Sequence, residues 1–258
     1  MPLSRGWSDG GMAPILRVRD LYKFFDQREG ATPVLKGITF DVEPGEFVCI
    51  MGPSGSGKST LLHILSGLDA ADGGAVELAG RNLKELADSE RTLLRREQVG
   101  YVFQFFNLLP NLNVLENVGL PLAIQGAHPT AKEGALRALL ARLGLAGKEG
   151  QFPHQLSGGE MQRTSIVRAL AGGQPLLLCD EPTGNLSQKA GLEVMRILRQ
   201  VCEEDRRTVV LVTHNPRDAT FADRVLFLVD GTLDVQHGLR GPNLTVEAVH
   251  ERLATLHI

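Results

Sequence analysis

Cysteine is scarce in this chain. Cys49, Cys179 and Cys202 are the three in 258 residues, far apart and never in a C-x-x-C pair. That spacing excludes a zinc site and points to reduced thiols in a cytosolic setting. Long apolar runs are missing too: none approaches the roughly 18 residues of a bilayer-crossing helix, so no transmembrane span is expected. Residues 1–14 lack the apolar block of a secretory signal. They are Gly/Ser-rich and are expected to be disordered, with Met12 as an alternative start. A basic surplus is also absent. Lys and Arg number 27 against 30 Asp and Glu, a net charge of −3, so no positive field invites nucleic acid. There is no internal repeat, and no low-complexity tract beyond the N-terminus.

What is present is enough apolar material, 43% of residues, to fill one large α/β domain or one with a helical insertion. Ile15–Arg19 and Ile38–Val42 alternate in polarity and read as strands, and Gly73–Gly80 reads as a further hairpin strand. These predict an antiparallel β layer. Glu43-Pro44-Gly45 is a turn into the apolar run Phe47–Met51. Val99–Phe103 is a buried strand ending at Gln104. The pattern then turns helical, with Asn113–Ile124 and Thr130–Leu143 at helical spacing. Strand and helix alternate afterwards: Leu176–Cys179, Gln188–Glu203, Thr208–Val212 and Arg224–Val229. That is a parallel αβ core with a helical block inserted in it.

Gly52-Pro53-Ser54-Gly55-Ser56-Gly57-Lys58-Ser59 fits G-x-x-x-x-G-K-[ST] between an apolar strand and a helix opening at Thr60. Glycines let backbone N–H groups wrap a phosphate chain, and the helix start adds partial positive charge. Lys58 is expected to reach the β- and γ-phosphates and Ser59 to offer its hydroxyl to Mg²⁺. Leu176-Leu177-Leu178-Cys179 runs into Asp180 and Glu181. Placed beside the phosphate-loop strand, this pair points into the ligand crevice. Asp180 would hold Mg²⁺ directly or through water, and Glu181 could polarise the water that attacks the γ-phosphate.

With Leu156-Ser157-Gly158-Gly159-Glu160-Met161-Gln162-Arg163, these motifs resemble the ATP-binding-cassette (ABC) ATPases over about residues 15–231. The resemblance implies a P-loop NTPase core, an antiparallel β layer and a helical subdomain at about 105–172. Residues 232–258 form an extension, of which 246–253 has helical spacing. A serine and two glycines at a helix start make a donor nest for an anion. In the family, that nest meets the γ-phosphate of ATP bound by the other subunit of a homodimer. Ser157, Gly158 and Gly159 are therefore binding residues, alongside Gly52 to Thr60. The resemblance makes Gln104 a Q-loop residue, touching Mg²⁺ or the attacking water. It makes His214 the switch histidine. It gives Phe25 the adenine-stacking place, with Phe24 and Tyr22 as alternatives. Gly184-Asn185-Leu186-Ser187 matches the family's D-loop, except that Ser187 stands where Asp is usual. Altered communication between two ATP sites is the expected consequence.

The wording of Met51–Leu62, Gln104–Pro110 and Asp180–Leu186 is similar to the LolD/MacB-like branch, which serves lipoprotein release and macrolide-type export. The resemblance implies an ATPase with ATP and Mg²⁺, on the cytoplasmic face of the inner membrane. It works there with a permease of few transmembrane helices. Phe105, Phe106, Leu108, Leu109 and Leu112 would help form the groove that receives a permease helix, at least half of them also filling the block's own core. A regulatory, FtsE-like mechanotransmission module shares every catalytic residue and is the alternative reading.

Overall fold

The computed structural model describes residues 13–25, 33–126, 132–241 and 244–256. The expected N-terminal disorder therefore falls almost wholly outside the described residues, as does the start of the helix read at Thr130. The chain opens with β1 (Leu16–Lys23) and β2 (Leu35–Val42), an antiparallel pair with Leu16 opposite Val42. β3 (Phe47–Met51) then runs fully buried into α1 (Lys58–Leu65). β4 (Gly73–Leu78) returns to pair with β1, and β5 (Arg81–Asn82) hairpins onto it. α2 (Asp88–Gln98) leads to β6 (Val99–Val102).

Among the described residues, three α-helices lie between β6 and the next strand: α3 (Val114–Ile124), α4 (Glu133–Arg142) and α5 (Gly158–Leu170). β7 (Leu176–Asp180), α6 (Gln188–Glu204), β8 (Thr208–Thr213), the one-turn α7 (Pro216–Ala219) and β9 (Arg224–Val229) complete the alternation. β10 (Thr232–Arg240) and α8 (Val246–Thr255) follow. Among the described residues the strands form two sheets, β2-β1-β4-β5 and β10-β9-β3-β8-β7-β6. The second is parallel except for β10, which turns back antiparallel along β9.

That larger sheet is a wall between two cores. In β3, Phe47, Cys49 and Met51 face a core shared with α3 to α6, while Val48 and Ile50 face one shared with α1 and the antiparallel layer. β7, β8 and β9 alternate in the same way. A strand covered on both faces has no polar side to show, which is why these segments read as unbroken apolar runs. The three cysteines are free and buried in these packed layers. At Gly100 in β6 a Cβ would stand 2.2 Å from the carbonyl oxygen of Ala169, so α5 approaches the strand closer than any side chain permits.

Three differences from the sequence reading have local causes. α2 was not anticipated because Leu94 is its one buried residue, which leaves no apolar stripe to detect. β10 was placed outside the core, yet it closes one edge of the larger sheet beside β9. β7 was expected next to the phosphate-loop strand, but β8 lies between them.

The segment from Phe105 to Leu112 is pinned by Asn117, whose side chain is fully buried. Its Oδ1 accepts from Leu109 N at 2.8 Å, and its Nδ2 donates to the carbonyls of Leu109, Leu112 and Asn113. Asn117→Ala removes the side-chain partner of the Leu109 N–H and of the Leu112 carbonyl in a part-buried turn, while the carbonyls of Leu109 and Asn113 keep the backbone donors of Leu112 and of residue 117. A loss of about 2–3 kcal/mol is expected, read as a lower unfolding midpoint in denaturant.

Candidate functional site

β3 ends at Gly52, and the loop rises through Pro53, Ser54 and Gly55, all exposed, before dipping back at buried Ser56. Gly57 caps α1 at φ 101°, a left-handed conformation, and a Cβ there would meet Leu35 Cδ2 at 2.8 Å. Glycine is the residue that satisfies both limits. The first N–H groups of α1, through Thr60, have no carbonyl one turn behind them and so point out of the helix start into the loop. Ser56 Oγ is buried without a partner. Lys58 folds over the loop, its Nζ donating to the carbonyls of Gly52 and Pro53 at 2.9 Å each. Burial pushes its pKa down, against the opposing pull of Glu181 and Asp180. An orphaned hydroxyl, unpaired amides and a buried ammonium together fit a polyphosphate.

The two acids arrive from the end of β7. Ser59 Oγ donates to Asp180 Oδ1 at 3.0 Å, a hard-oxygen pair from two elements. Burial raises the Asp180 pKa, and the Ser59 bond opposes it. The oxygen donors of Ser59 and Asp180 suit Mg²⁺, which takes one or two carboxylates and completes its shell with water and phosphate. Next in sequence, Glu181 is turned by an unusual φ of 42°. Its Oε1 lies 3.7 Å from Lys58 Nζ, and its Oε2 lies 2.9 Å from Nδ1 of His214. His214 follows β8 directly and is half exposed. The intervening β8 does not separate the groups: Asp180 pairs with Val212, and Met51 pairs with Thr213, so three strand ends finish at one level.

Gln104 sits two residues past the end of β6, in the turn that follows it, half-buried. Its carbonyl accepts from Asn185 Nδ2 at 3.0 Å, and its side-chain amide lies against Gly184. Asn185 thus ties the segment after Glu181 to Gln104, a contact across 81 residues that no local pattern marks. Phe25, 76% exposed just beyond β1, presents a free ring face, while Phe24 and Tyr22 are partly covered.

Ser157, Gly158 and Gly159 are not brought to this cleft. They open α5 in a separate one, lined also by Glu160, Arg163, Asn185, Ser187 and Glu193. Ser157 and Glu160 form a reciprocal cap: Ser157 N and Oγ both donate to Glu160 Oε2 at 2.8 Å, and Glu160 N donates back to Oγ. The bonds from Ser157, backbone and then side chain, and one from Lys148, hold the Glu160 carboxyl at about 2. Its stabilisation of the α5 start is therefore present above the ordinary glutamate range and lost as pH falls toward that value. Ser187 caps α6, accepting from Ala190 N at 3.4 Å.

A strand, a glycine loop, a lysine at a helix start and an acid from a nearby strand tip define a P-loop nucleoside triphosphatase. The family model for ABC transporters matches residues 35–184. The chain is 46% identical over 223 residues to "Lipoprotein-releasing system ATP-binding protein LolD 2" of Caulobacter vibrioides, covering 86% of this chain and 98% of that protein. It is 42% identical over 233 residues to "Macrolide export ATP-binding/permease protein MacB" of Marinobacter nauticus, covering 90% of this chain and 36% of that longer one. Among solved structures it is similar to the ATP-binding cassette MJ0796, solved as a dimer in a post-hydrolysis state bound to ADP and Pi. The TM-score is 0.79 at 39% identity, over 87% of this chain and 98% of that one. The chain belongs to the ABC transporter family and is an ABC ATPase, homologous to the nucleotide-binding components LolD and MacB.

Proposed function

We propose that two copies of this chain bind and hydrolyse ATP on the cytoplasmic face of the inner membrane, driving export or lipoprotein extraction through a MacB- or LolC-like permease. The observation that carries this reading is the division of the site. One cleft gathers Lys58, Ser59, Asp180, Glu181 and His214, and the Ser157–Gly159 nest opens another. Two copies arranged head to tail place the nest of one against the phosphates held by the other, so ATP completes the interface.

In each composite site Phe25 stacks on adenine, and the loop from Gly52 to Thr60 wraps the phosphates. Ser59, Asp180 and Gln104 would hold Mg²⁺, which would neutralise phosphate charge. Glu181 accepts a proton from the attacking water, and His214 holds that carboxylate and meets the γ-phosphate.

The permease helix docks in a cleft of about 450 Å³ between β6 and the helical block. Tyr101, Phe103, Leu120 and Ile124 contribute apolar surface there, and Arg95, Arg96 and Arg168 contribute charge. None of Phe105, Phe106, Leu108, Leu109 and Leu112 lines that cleft, although Phe105 is 70% exposed and Leu109 47% exposed. Phe106, Leu108 and Leu112 are partly covered, and none of the five is buried, so they are less committed to the block's own core than their composition implies. Among the described residues no helix is long and apolar enough to cross a membrane, and the permease supplies that part.

The test is to trap the tagged chain with ATP in its native host, solubilise membranes gently and identify co-purifying proteins by mass spectrometry. A permease with few transmembrane helices and a large outer domain is expected. A many-helix permease with a solute-binding protein overturns the export reading. An intact, dimeric bait with no membrane partner overturns the transport reading altogether.

A further inference from the structure

Beyond the end of the larger sheet, the backbone gives the segments carrying Glu181 and His214 one direct link, from Glu181 N to the carbonyl of Val212 at 3.0 Å. A second link is made by a side chain that the chemistry above does not use. Asp218, the third residue of α7, is 4% exposed. Its Oδ2 accepts from the hydroxyl of Thr183 at 2.5 Å and from the hydroxyl of Thr213 at 3.3 Å. Its Oδ1 accepts from Asn215 Nδ2 at 3.3 Å. Thr213 Oγ1 in turn accepts from Asn215 N at 3.0 Å. Thr183 stands two residues after Glu181, and Thr213 and Asn215 flank His214.

We infer that Asp218 is a positioning residue: its single buried carboxylate sets the separation of Glu181 and His214 by clamping Thr183 to the turn around His214. The 2.9 Å contact between Glu181 Oε2 and His214 Nδ1 joins the ends of two side chains, one of them half exposed. Such a contact holds its geometry only if the backbones beneath it are fixed. The ladder fixes them up to Asp180 and Val212, and the carboxylate fixes them past that level. A charge buried among hydroxyls is an unusual choice for simple packing. Burial, with a smaller push from Glu181, moves the Asp218 pKa up, and the Thr183 and Thr213 bonds, with a smaller pull from His214, oppose it. The apolar residue of similar size that packing alone favours would make neither bond.

This inference rests on the proposed roles of Glu181 and His214, so Glu181→Gln is measured in parallel. The variants are Asp218→Ala, Asp218→Asn, Thr183→Val and the double Asp218→Ala/Thr183→Val. ATP turnover, KM for ATP and thermal midpoint are measured on each, with rates normalised to folded protein. The expected result is a kcat about ten- to a hundred-fold lower in Asp218→Ala with KM within about twofold of wild type. Asp218→Asn, which keeps an acceptor oxygen for the hydroxyls, recovers most of that loss. Thr183→Val lowers kcat less, and the double variant is no worse than Asp218→Ala. Wild-type kcat per folded molecule in Asp218→Ala overturns the proposal whatever the thermal midpoint does. So does a loss that Asn does not recover, or one that multiplies in the double variant. Should Asp218→Ala itself not fold, Asp218→Asn and Thr183→Val decide: Thr183→Val at wild-type kcat overturns the clamp. Near wild-type turnover in Glu181→Gln would instead mean that the reading of the site has failed, independently of Asp218.

Discussion

Replacing Glu181 by Gln lowers ATP turnover by roughly 10²–10⁴ while ATP binding persists. Gln keeps the shape of the side chain and removes its capacity to take a proton. The loss therefore isolates proton transfer from positioning. Lys58 and Ser59 are untouched, so the phosphates and their metal still have their donors. ATP that binds and is not cleaved holds two copies together, and size-exclusion chromatography with ATP should show a dimer that the wild type forms only transiently. Steady-state phosphate release gives the rate. Turnover close to wild type would remove Glu181 from the role of base.

Lys58→Met removes the other large contribution, and it acts at an earlier step. The ammonium is 5% exposed and has three anionic or dipolar neighbours: two loop carbonyls and Glu181. With phosphate present its natural partner is the oxygen that gains charge as the terminal bond breaks. A methionine of similar length keeps the packing, so the fold should survive, although the carbonyls of Gly52 and Pro53 lose their Nζ donor. The kcat/KM for ATP should fall by roughly 10²–10³. The two variants separate by their nucleotide response. ATP should raise the thermal midpoint of Glu181→Gln strongly and that of Lys58→Met little.

The parts of this site legible in the sequence are those whose chemistry needs neighbours in the chain. Gly52 to Ser59 must be contiguous, because one loop has to surround one group of phosphates. Asp180 and His214 each end an apolar run, and a polar residue at the tip of a buried strand is visible as a break in pattern. Strand order was not legible in the same way. Nothing local says that β8 stands between β3 and β7, since parallel neighbours are chosen by how crossover helices pack. α2 escaped notice because its stability comes from capping, with Glu90 bonded to Ala87 N at 2.9 Å, and not from an apolar face. β10 escaped because an edge strand has one paired side and a mixed composition. Asp218 illustrates the general limit: it is bonded to a residue 35 positions away. A lone acid in a one-turn helix reads from sequence as a solvated charge.

The wall between the two cores has a consequence for inheritance. Each of its central strands carries two interleaved messages, odd residues addressed to the helical side and even residues to the antiparallel side. A change at Cys49 is judged by one set of neighbours and a change at Ile50 by another, although the two are adjacent in the gene. The halves can therefore drift separately in side-chain volume. A single inserted residue in β3 would deliver every letter to the wrong address at once. Such a lineage can accept many substitutions in these strands and almost no change in their length.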